Sequence, residues 1–369
     1  MKKTIAVLPG DGIGPEVIEQ AIKVLMRVSK KYNHVFVFKY GYIGGAAIEK
    51  IGNALPEETV ALCKSADAIL FGAIGDPKYD NDKTITLLPE QSLLKLRRTL
   101  DLYTNVRPIK PFASHYDKSP IKKEIIKGTD FVVIRELTGG IYFGKKGRSK
   151  NGKQAFDTCE YTTREITRVT KFAFKLALRR HSGLSRIDSG VADTPQNDRP
   201  KVTLVDKANV LETSRLWRET VQQLGKQYSN VTIEFMYVDN ASMQIIKRPS
   251  TFDVIVTDNM FGDILTDEAS VITGSIGLVP SASIGTKTSL YEPIHGSYPK
   301  AAGQNTANPI GAILSAAMLL DYSFGLKKEA KAIERAVEAA LKAGIGTKDI
   351  IEKNPHSTSM VGDEIAALI

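Results

Sequence analysis

Residues 4–40 read TIAVLPGDGIGPEVIEQAIKVLMRVSKKYNHVFVFKY. A short β-branched run, a glycine turn, a long segment with apolar residues at helical spacing and a second β-branched run follow in that order, which predicts strand, helix, strand. ADAILFG at 66–72 repeats the strand signal, so strands and helices alternate and the chain reads as α/β. The turn Gly10-Asp11-Gly12-Ile13-Gly14-Pro15 imitates a G-x-G-x-x-G dinucleotide fingerprint, yet Pro15 stands where the third glycine belongs. Proline is preset for the first turn of a helix, so the fingerprint fails. Two uses remain open for the turn: bringing backbone close to a ligand, or simply joining strand to helix.

With 369 residues, 42% hydrophobic and 25% charged, the chain can bury two domain cores or one large one. Residues 1–9 begin like a signal peptide, but the apolar run stops at Pro9, too early for an h-region. No run approaches the roughly 18 apolar residues of a membrane span, so no membrane partner is expected. Two cysteines, Cys63 and Cys159, do not make a disulfide framework and fit a cytoplasmic location. Neither has a second Cys or a His at zinc-ligand spacing. The net charge of +9 raises the question of a nucleic-acid partner. The densest basic run, Lys145 to Lys153, is broken by Gly and Ser and carries no interleaved aromatic, so a solvated loop is expected instead. Surplus positive charge also suits attraction of a small polyanion.

FDVIVTDNMFGDILTDEAS at 252–270 carries the clearest chemistry. Phe252 to Thr257 reads as a buried strand, and Asp263 and Asp267 follow four apart, on one helical face. Such hard oxygen ligands suit Mg²⁺ or Mn²⁺; a solvated acidic face is the commoner use of the pattern. In PEQSLLKLRRTLD, 89–101, Glu90, Leu93, Leu94 and Arg97 share one stripe, a face for a ligand both apolar and anionic, or two core leucines with charged ends snorkelling outward. Arg107 and Arg135 each lie at the end of an element and, with Arg97, could clamp carboxylates bidentately. Gly139 to Thr163 reads as a protruding arm, 181–200 as a polar surface loop without chemistry of its own, Lys207 and Asp239 as charges at strand ends. The loop EPIHGSYPKAAGQNTANP, 292–309, is long for a structureless connection, which favours function; Asn308 is its expected helix N-cap and His295 a base or a ligand contact.

Together the blocks LPGDGIGPE, LRRTLDLYTNVRP, RELTGGIYFG, VDKANVLETSRLWRE, FGDILTDEASVITGSIGLVPSASIG, EPIHGSYP and NTANPIGAILSAAMLL span nearly the whole chain. In combination they resemble the β-decarboxylating dehydrogenases, the isocitrate/isopropylmalate dehydrogenase family, and RELTGGIYFG resembles the isopropylmalate type. The resemblance implies a three-layer α/β/α fold, not a Rossmann fold. A first, cofactor-side domain would comprise 1–102 plus 274–369, and a second, substrate and dimer side, 103–273 with an arm at about 140–163.

The implied reaction oxidises (2R,3S)-3-isopropylmalate at C2 with NAD and releases CO₂, giving 4-methyl-2-oxopentanoate in leucine biosynthesis. Malate- or tartrate-type turnover, or a catalytically silent binding relative, are the alternatives. On this resemblance Asp263, Asp267 and a second subunit's Asp239 hold the divalent ion, with Asp239 also facing substrate. Arg97, Arg107 and Arg135 clamp carboxylates, and Glu90, Leu93 and Leu94 receive the branched alkyl group. Lys207, again from the second subunit of a homodimer, takes the hydroxyl proton, and Tyr142 protonates C3. Ile13, Glu292, His295, Gly296, Ser297, Lys300 and Asn308 are the implied cofactor contacts. Lys300 departs from the acidic residue of NAD-using relatives and resembles the NADP-using isocitrate dehydrogenases, but Ala301 follows it where those have tyrosine; NAD is the expectation.

Overall fold

The computed structural model describes residues 1–80, 88–182 and 199–369, so most of the polar loop expected at 181–200 lies outside the described residues. The chain divides into two compact units, Met1–Leu102 with Gly274–Ile369, and Tyr103–Thr273.

The first unit holds β1 (Lys2–Gly10), β2 (Val35–Tyr40) and β3 (Ala68–Ala73). Its later strands, β11 (Pro280–Gly285) and β12 (Leu290–Pro293), complete the order β2-β1-β3-β12-β11. The pairs β1/β2, β1/β3 and β3/β12 run parallel, and β11/β12 antiparallel. Ile5 to Leu8 are each fully buried. Since successive strand residues point to opposite faces, this requires cover on both sides of the sheet. Part of that cover is the helix Ile310–Tyr322, buried at every position from Ile310 to Leu320 and packed against β11, β12 and the helix Gly14–Lys31. The helix Pro89–Thr99 contributes Leu93 and Leu96 to a core with Leu8, Ile69 and Phe71.

The second unit orders β4 (Leu102–Ile109), β5 (Phe131–Glu136), β10 (Val254–Thr257), β8 (Lys201–Asp206) and β9 (Thr232–Tyr237) as β4-β5-β10-β8-β9. Only the β4/β5 pair is antiparallel, and its register sets Asn105 opposite Arg135. Both β5 and β10 are buried throughout, as central strands with two covered faces must be. The arm is an exposed hairpin, β6 (Lys146–Arg148) paired with β7 (Ala155–Asp157). Among the described residues no helix is long and apolar enough to cross a membrane.

Two boundaries shift. Asp239 does not end a strand: β9 stops at Tyr237, and Asp239 sits in the first turn of the helix Val238–Lys247, where a carboxylate meets the positive end of the helix dipole. Asn308 likewise stands one place before the N-cap, Pro309, although its side chain still accepts a hydrogen bond from the Ile310 N–H at 3.0 Å.

Candidate active site

The helix Asn259–Ser270 follows directly on β10 and starts at Asp258, whose side chain accepts from the Phe261 N–H at 2.8 Å. From there Asp263 and Asp267 project at i and i+4, flanked by exposed Ile264 and buried Leu265. The Asp263 carboxylate pairs with the Arg135 Nη1 and accepts from the Tyr142 hydroxyl at 2.9 Å. Arg107 Nη2 lies 3.9 Å from Asp263, and Arg107 Nη1 donates to Asp267 at 3.2 Å and to the Thr266 hydroxyl at 2.6 Å. Two arginines, a tyrosine and two carboxylates are thereby gathered on one face.

Burial alone would raise the Asp263 carboxyl, but the Arg135 charge, the Tyr142 hydroxyl and the Arg107 charge outweigh it and hold the group below its ordinary value. An ionised carboxylate is what a hard divalent cation needs. Tyr142 shifts the other way, raised by burial and by the Asp263 charge, so its phenol keeps its proton at neutral pH. Among the described residues no group of three His, Cys, Asp or Glu is placed to hold a metal within one chain. Asp263 and Asp267, one helical turn apart, could therefore supply only part of a divalent-ion ligand set within one chain.

Lys207 follows β8, and its amine pairs with Asp239 at 2.5 Å on a solvent-exposed surface. Neither makes a hydrogen bond or ion pair with Asp263 or Asp267. Within one chain the expected base and third carboxylate are thus joined to each other and not to the acidic helix.

In the first unit, Arg97 is buried and donates to Glu292 at 2.8 Å, both side chains about one-tenth exposed. The stripe of this helix therefore does not divide into two core leucines and two outward charges. Leu93 is buried, Leu94 only half so, Glu90 is exposed, and the Arg97 charge turns inward because Glu292 on β12 neutralises it. A Cβ at Gly75 would lie 2.5 Å from Glu90 Oε1, so the glycine lets that carboxylate approach the backbone.

The first unit also holds a cavity of about 580 Å³, its wall formed by Ile13, Gly277, His295, Gly296, Asn308 and Asp349 among others. Burial lowers the His295 imidazole below its ordinary value, leaving it neutral at pH 7. Its Nδ1 meets the Gly296 carbonyl at 3.0 Å, while Nε2 is buried with no partner. A neutral ring nitrogen without a partner, in a mostly apolar wall, suits a flat heteroaromatic ligand with a hydrogen-bonding edge. Asn308 Nδ2 donates to Asp349 at 2.9 Å. Ser297 ties the cavity to the first turn: its hydroxyl donates to the Gly75 carbonyl at 2.5 Å, and its carbonyl accepts from the Ile13 N–H at 2.8 Å. At Gly12, φ +56, a Cβ would lie 2.0 Å from the Ser297 carbonyl oxygen, so the glycine turn is required by close backbone approach. Lys300 is exposed in the turn Pro299–Ala301.

The pattern of elements and carboxylates finds its match among known proteins. The family model described as isocitrate/isopropylmalate dehydrogenase matches residues 4–365. The chain belongs to the isocitrate/isopropylmalate dehydrogenase family. It is 52% identical to the 3-isopropylmalate dehydrogenase of Bacillus licheniformis, covering 100% of this chain and 96% of the relative. A second 3-isopropylmalate dehydrogenase, from Carboxydothermus hydrogenoformans, is also 52% identical over 99% of this chain and 93% of its own length. Among solved structures, isocitrate dehydrogenase from Methylococcus capsulatus superposes with a TM-score of 0.85 at 31% identity, covering 99% of both chains. A β-decarboxylating dehydrogenase from Thermococcus kodakarensis does so with a TM-score of 0.78 at 33% identity, over 99% of this chain and 96% of that one.

Three polar residues of this family member escape a reading of sequence alone. Asp11 accepts from the Gly45, Ala46 and Gly75 N–H groups at 2.8–3.0 Å and so ties its own turn to the start of the helix Gly45–Ile51 and to Gly75. Asp349 holds Asn308 and the Ser275 hydroxyl. Asn259 joins Arg135 to the Gly139 carbonyl. All three act on groups distant in sequence, and an acid in a turn or an amide at a helix start carries no local mark of that.

Proposed function

We propose that this enzyme catalyses the oxidative decarboxylation of (2R,3S)-3-isopropylmalate to 4-methyl-2-oxopentanoate with reduction of NAD, a step of leucine biosynthesis. The reading rests on full-length identity near one half to relatives bearing the 3-isopropylmalate dehydrogenase name. The apolar Leu93 and Leu94 beside Glu90, where a tricarboxylate would need a polar partner, support it. So do two free thiols for a cytoplasmic location.

Arg97, Arg107 and Arg135 orient the two carboxylates through planar, bidentate forks. The second subunit's copy of Lys207 accepts the C2 hydroxyl proton as hydride leaves C2. Loss of CO₂ then breaks the C3–carboxylate bond, and the Tyr142 hydroxyl, held protonated beside Asp263, returns a proton to C3. Asp263 and Asp267, with the second subunit's copy of Asp239, hold Mg²⁺ or Mn²⁺. The ion supplies Lewis-acid polarisation of the C2 oxygen when bound. Ile13, Glu292, His295, Gly296, Ser297, Lys300 and Asn308 are assigned to NAD, which supplies the hydride acceptor. A homodimer is proposed because Lys207 and Asp239 pair with each other and make no hydrogen bond or ion pair with Asp263 or Asp267 within one chain, and because Val210, Leu211, Met243 and Ile264 near these residues leave apolar surface exposed.

A panel of isopropylmalate, D-malate and isocitrate against NAD and NADP, with Mg²⁺, Mn²⁺ or chelator, tests the reading. Isopropylmalate with NAD and a divalent ion should give the highest kcat/KM. Equal turnover of D-malate, which lacks the alkyl group, would move the substrate to the malate type, and a preference for NADP would overturn the cofactor.

A further inference from the structure

Asn259 opens the acidic helix and is 1% exposed. Its Oδ1 accepts from Arg135 Nε at 2.9 Å, its Nδ2 donates to the Gly139 carbonyl at 3.0 Å, and its backbone N–H donates to the Tyr161 hydroxyl at 2.9 Å. The chemistry of the partners fixes the amide orientation, because a guanidinium nitrogen only donates and a carbonyl only accepts. Asparagine satisfies both; aspartate keeps the acceptor alone, and an apolar side chain neither.

The two ends of this amide reach different parts of the proposed machinery. On one side Arg135 is held at Nε by Asn259 and at Nη1 by Asp263, two points that restrain the guanidinium. Its stem crosses Gly262 so closely that a Cβ there would lie 2.6 Å from Arg135 Cγ. On the other side the Gly139 carbonyl belongs to the turn leading into Tyr142. Below that turn lies the Tyr161 ring, and a Cβ at Gly140 would lie 2.2 Å from the Tyr161 hydroxyl. The buried Glu136 carboxylate also grips the turn, accepting from the Thr138 and Gly139 N–H groups. Glu136 also accepts from the Thr138 hydroxyl, and the Gly140 N–H donates to the Glu160 carbonyl at 3.0 Å, but neither touches the Gly139 carbonyl. The carbonyl of Gly139, which sets the direction in which the chain leaves for Tyr142, is held by Asn259.

We propose that Asn259 is a positioning residue that sets the Arg135 guanidinium and the Gly139–Tyr142 turn in register with each other through one side-chain amide. The inference rests on the roles proposed above for Arg135 and Tyr142.

Asn259→Ala and Asn259→Asp, compared with wild type, test it by steady-state kinetics, melting temperature and backbone hydrogen exchange over 137–142. In Asn259→Ala, kcat should fall and the isopropylmalate KM rise by about tenfold each, the loss of a hydrogen bond to a charged group, while the NAD KM is unchanged. Exchange over 137–142 should quicken by about tenfold, with β8 and β10 protected as in wild type. Asn259→Asp, keeping the acceptor for Arg135, should recover the KM and not the slow exchange. Wild-type kinetics and exchange in Asn259→Ala would overturn the proposal, as would loss of protection spread through β8 and β10 with a lowered melting temperature. A wild type inert toward isopropylmalate would defeat the reaction instead, and the exchange comparison would still decide the role of Asn259.

Discussion

Asp263 sits between a guanidinium and a phenol, and removing its charge separates its proposed duty from mere packing. Asp263→Asn keeps the shape and the contact with Tyr142 but weakens both the pairing with Arg135 and the affinity for a divalent ion. We expect kcat at saturating Mg²⁺ to fall by roughly 10²-fold or more, with a raised metal requirement; metal-dependent turnover at the wild-type level would reject the ligand assignment. Lys207→Met should lower kcat by about 10²–10⁴-fold, the range of a general base, and leave binding of isopropylmalate, followed by calorimetry, largely intact. The i, i+4 spacing of the two acids was legible in the sequence because helix geometry alone sets it. That Arg107 and Arg135 reach those acids was not: it follows from the antiparallel register of β4 on β5 and from the way the acidic helix leaves β10. The amide of Asn259 and the carboxylate of Asp11 were illegible for the same reason, since each serves backbone that only the fold brings near.

The acidic helix itself begins at a residue that stability can report. Burial pushes the Asp258 carboxyl up to about 6, against the Phe261 N–H and the Arg135 charge, which favour ionisation. An acid raised in the folded state binds its proton there at a pH where the unfolded chain has released it. Stability from this group is therefore greatest below about pH 4, falls as pH rises to about 6, and stays lower above, by about 2–3 kcal/mol in all. Asn is as good an N-cap and carries no charge to bury. Asp258→Asn should accordingly raise stability at pH 7.5 by about 1–2 kcal/mol and flatten the pH 4–6 slope in denaturant melts; an unchanged slope would show that another group sets it. Element types were largely readable, because apolar periodicity decides them: the helical segment read between the two strand runs of residues 4–40 is found at Gly14–Lys31. Ends were less so. At Asp239 and Asn308 the side chains do serve helix starts, but neighbouring residues make the boundary, a competition of caps within one turn that composition does not resolve.

Alternation of strand and helix signals is enough to read an α/β chain, and both units bear it out with mostly parallel strand pairs. What alternation does not carry is the count of chains at the site. The lack of any hydrogen bond or ion pair between the Lys207–Asp239 pair and Asp263 or Asp267 leads to the proposal that each catalytic centre takes its acidic helix from one subunit and its base from the other. This makes a prediction that no single-chain site can meet. Asp263→Asn and Lys207→Met homodimers should each be nearly inactive, since every centre lacks one group. In a mixed dimer both lesions fall in the same centre, leaving the second centre with an intact acidic helix and an intact lysine. If equal amounts of the two variants are unfolded and refolded together, half the dimers are mixed and half the centres in those are whole. Activity should then return to about a quarter of wild type. Co-refolding of each variant with itself controls for recovery, and light scattering establishes that dimers form. If every centre were built from one chain, no combination of the two would regain activity, and an inactive mixture of well-formed dimers would refute the shared site.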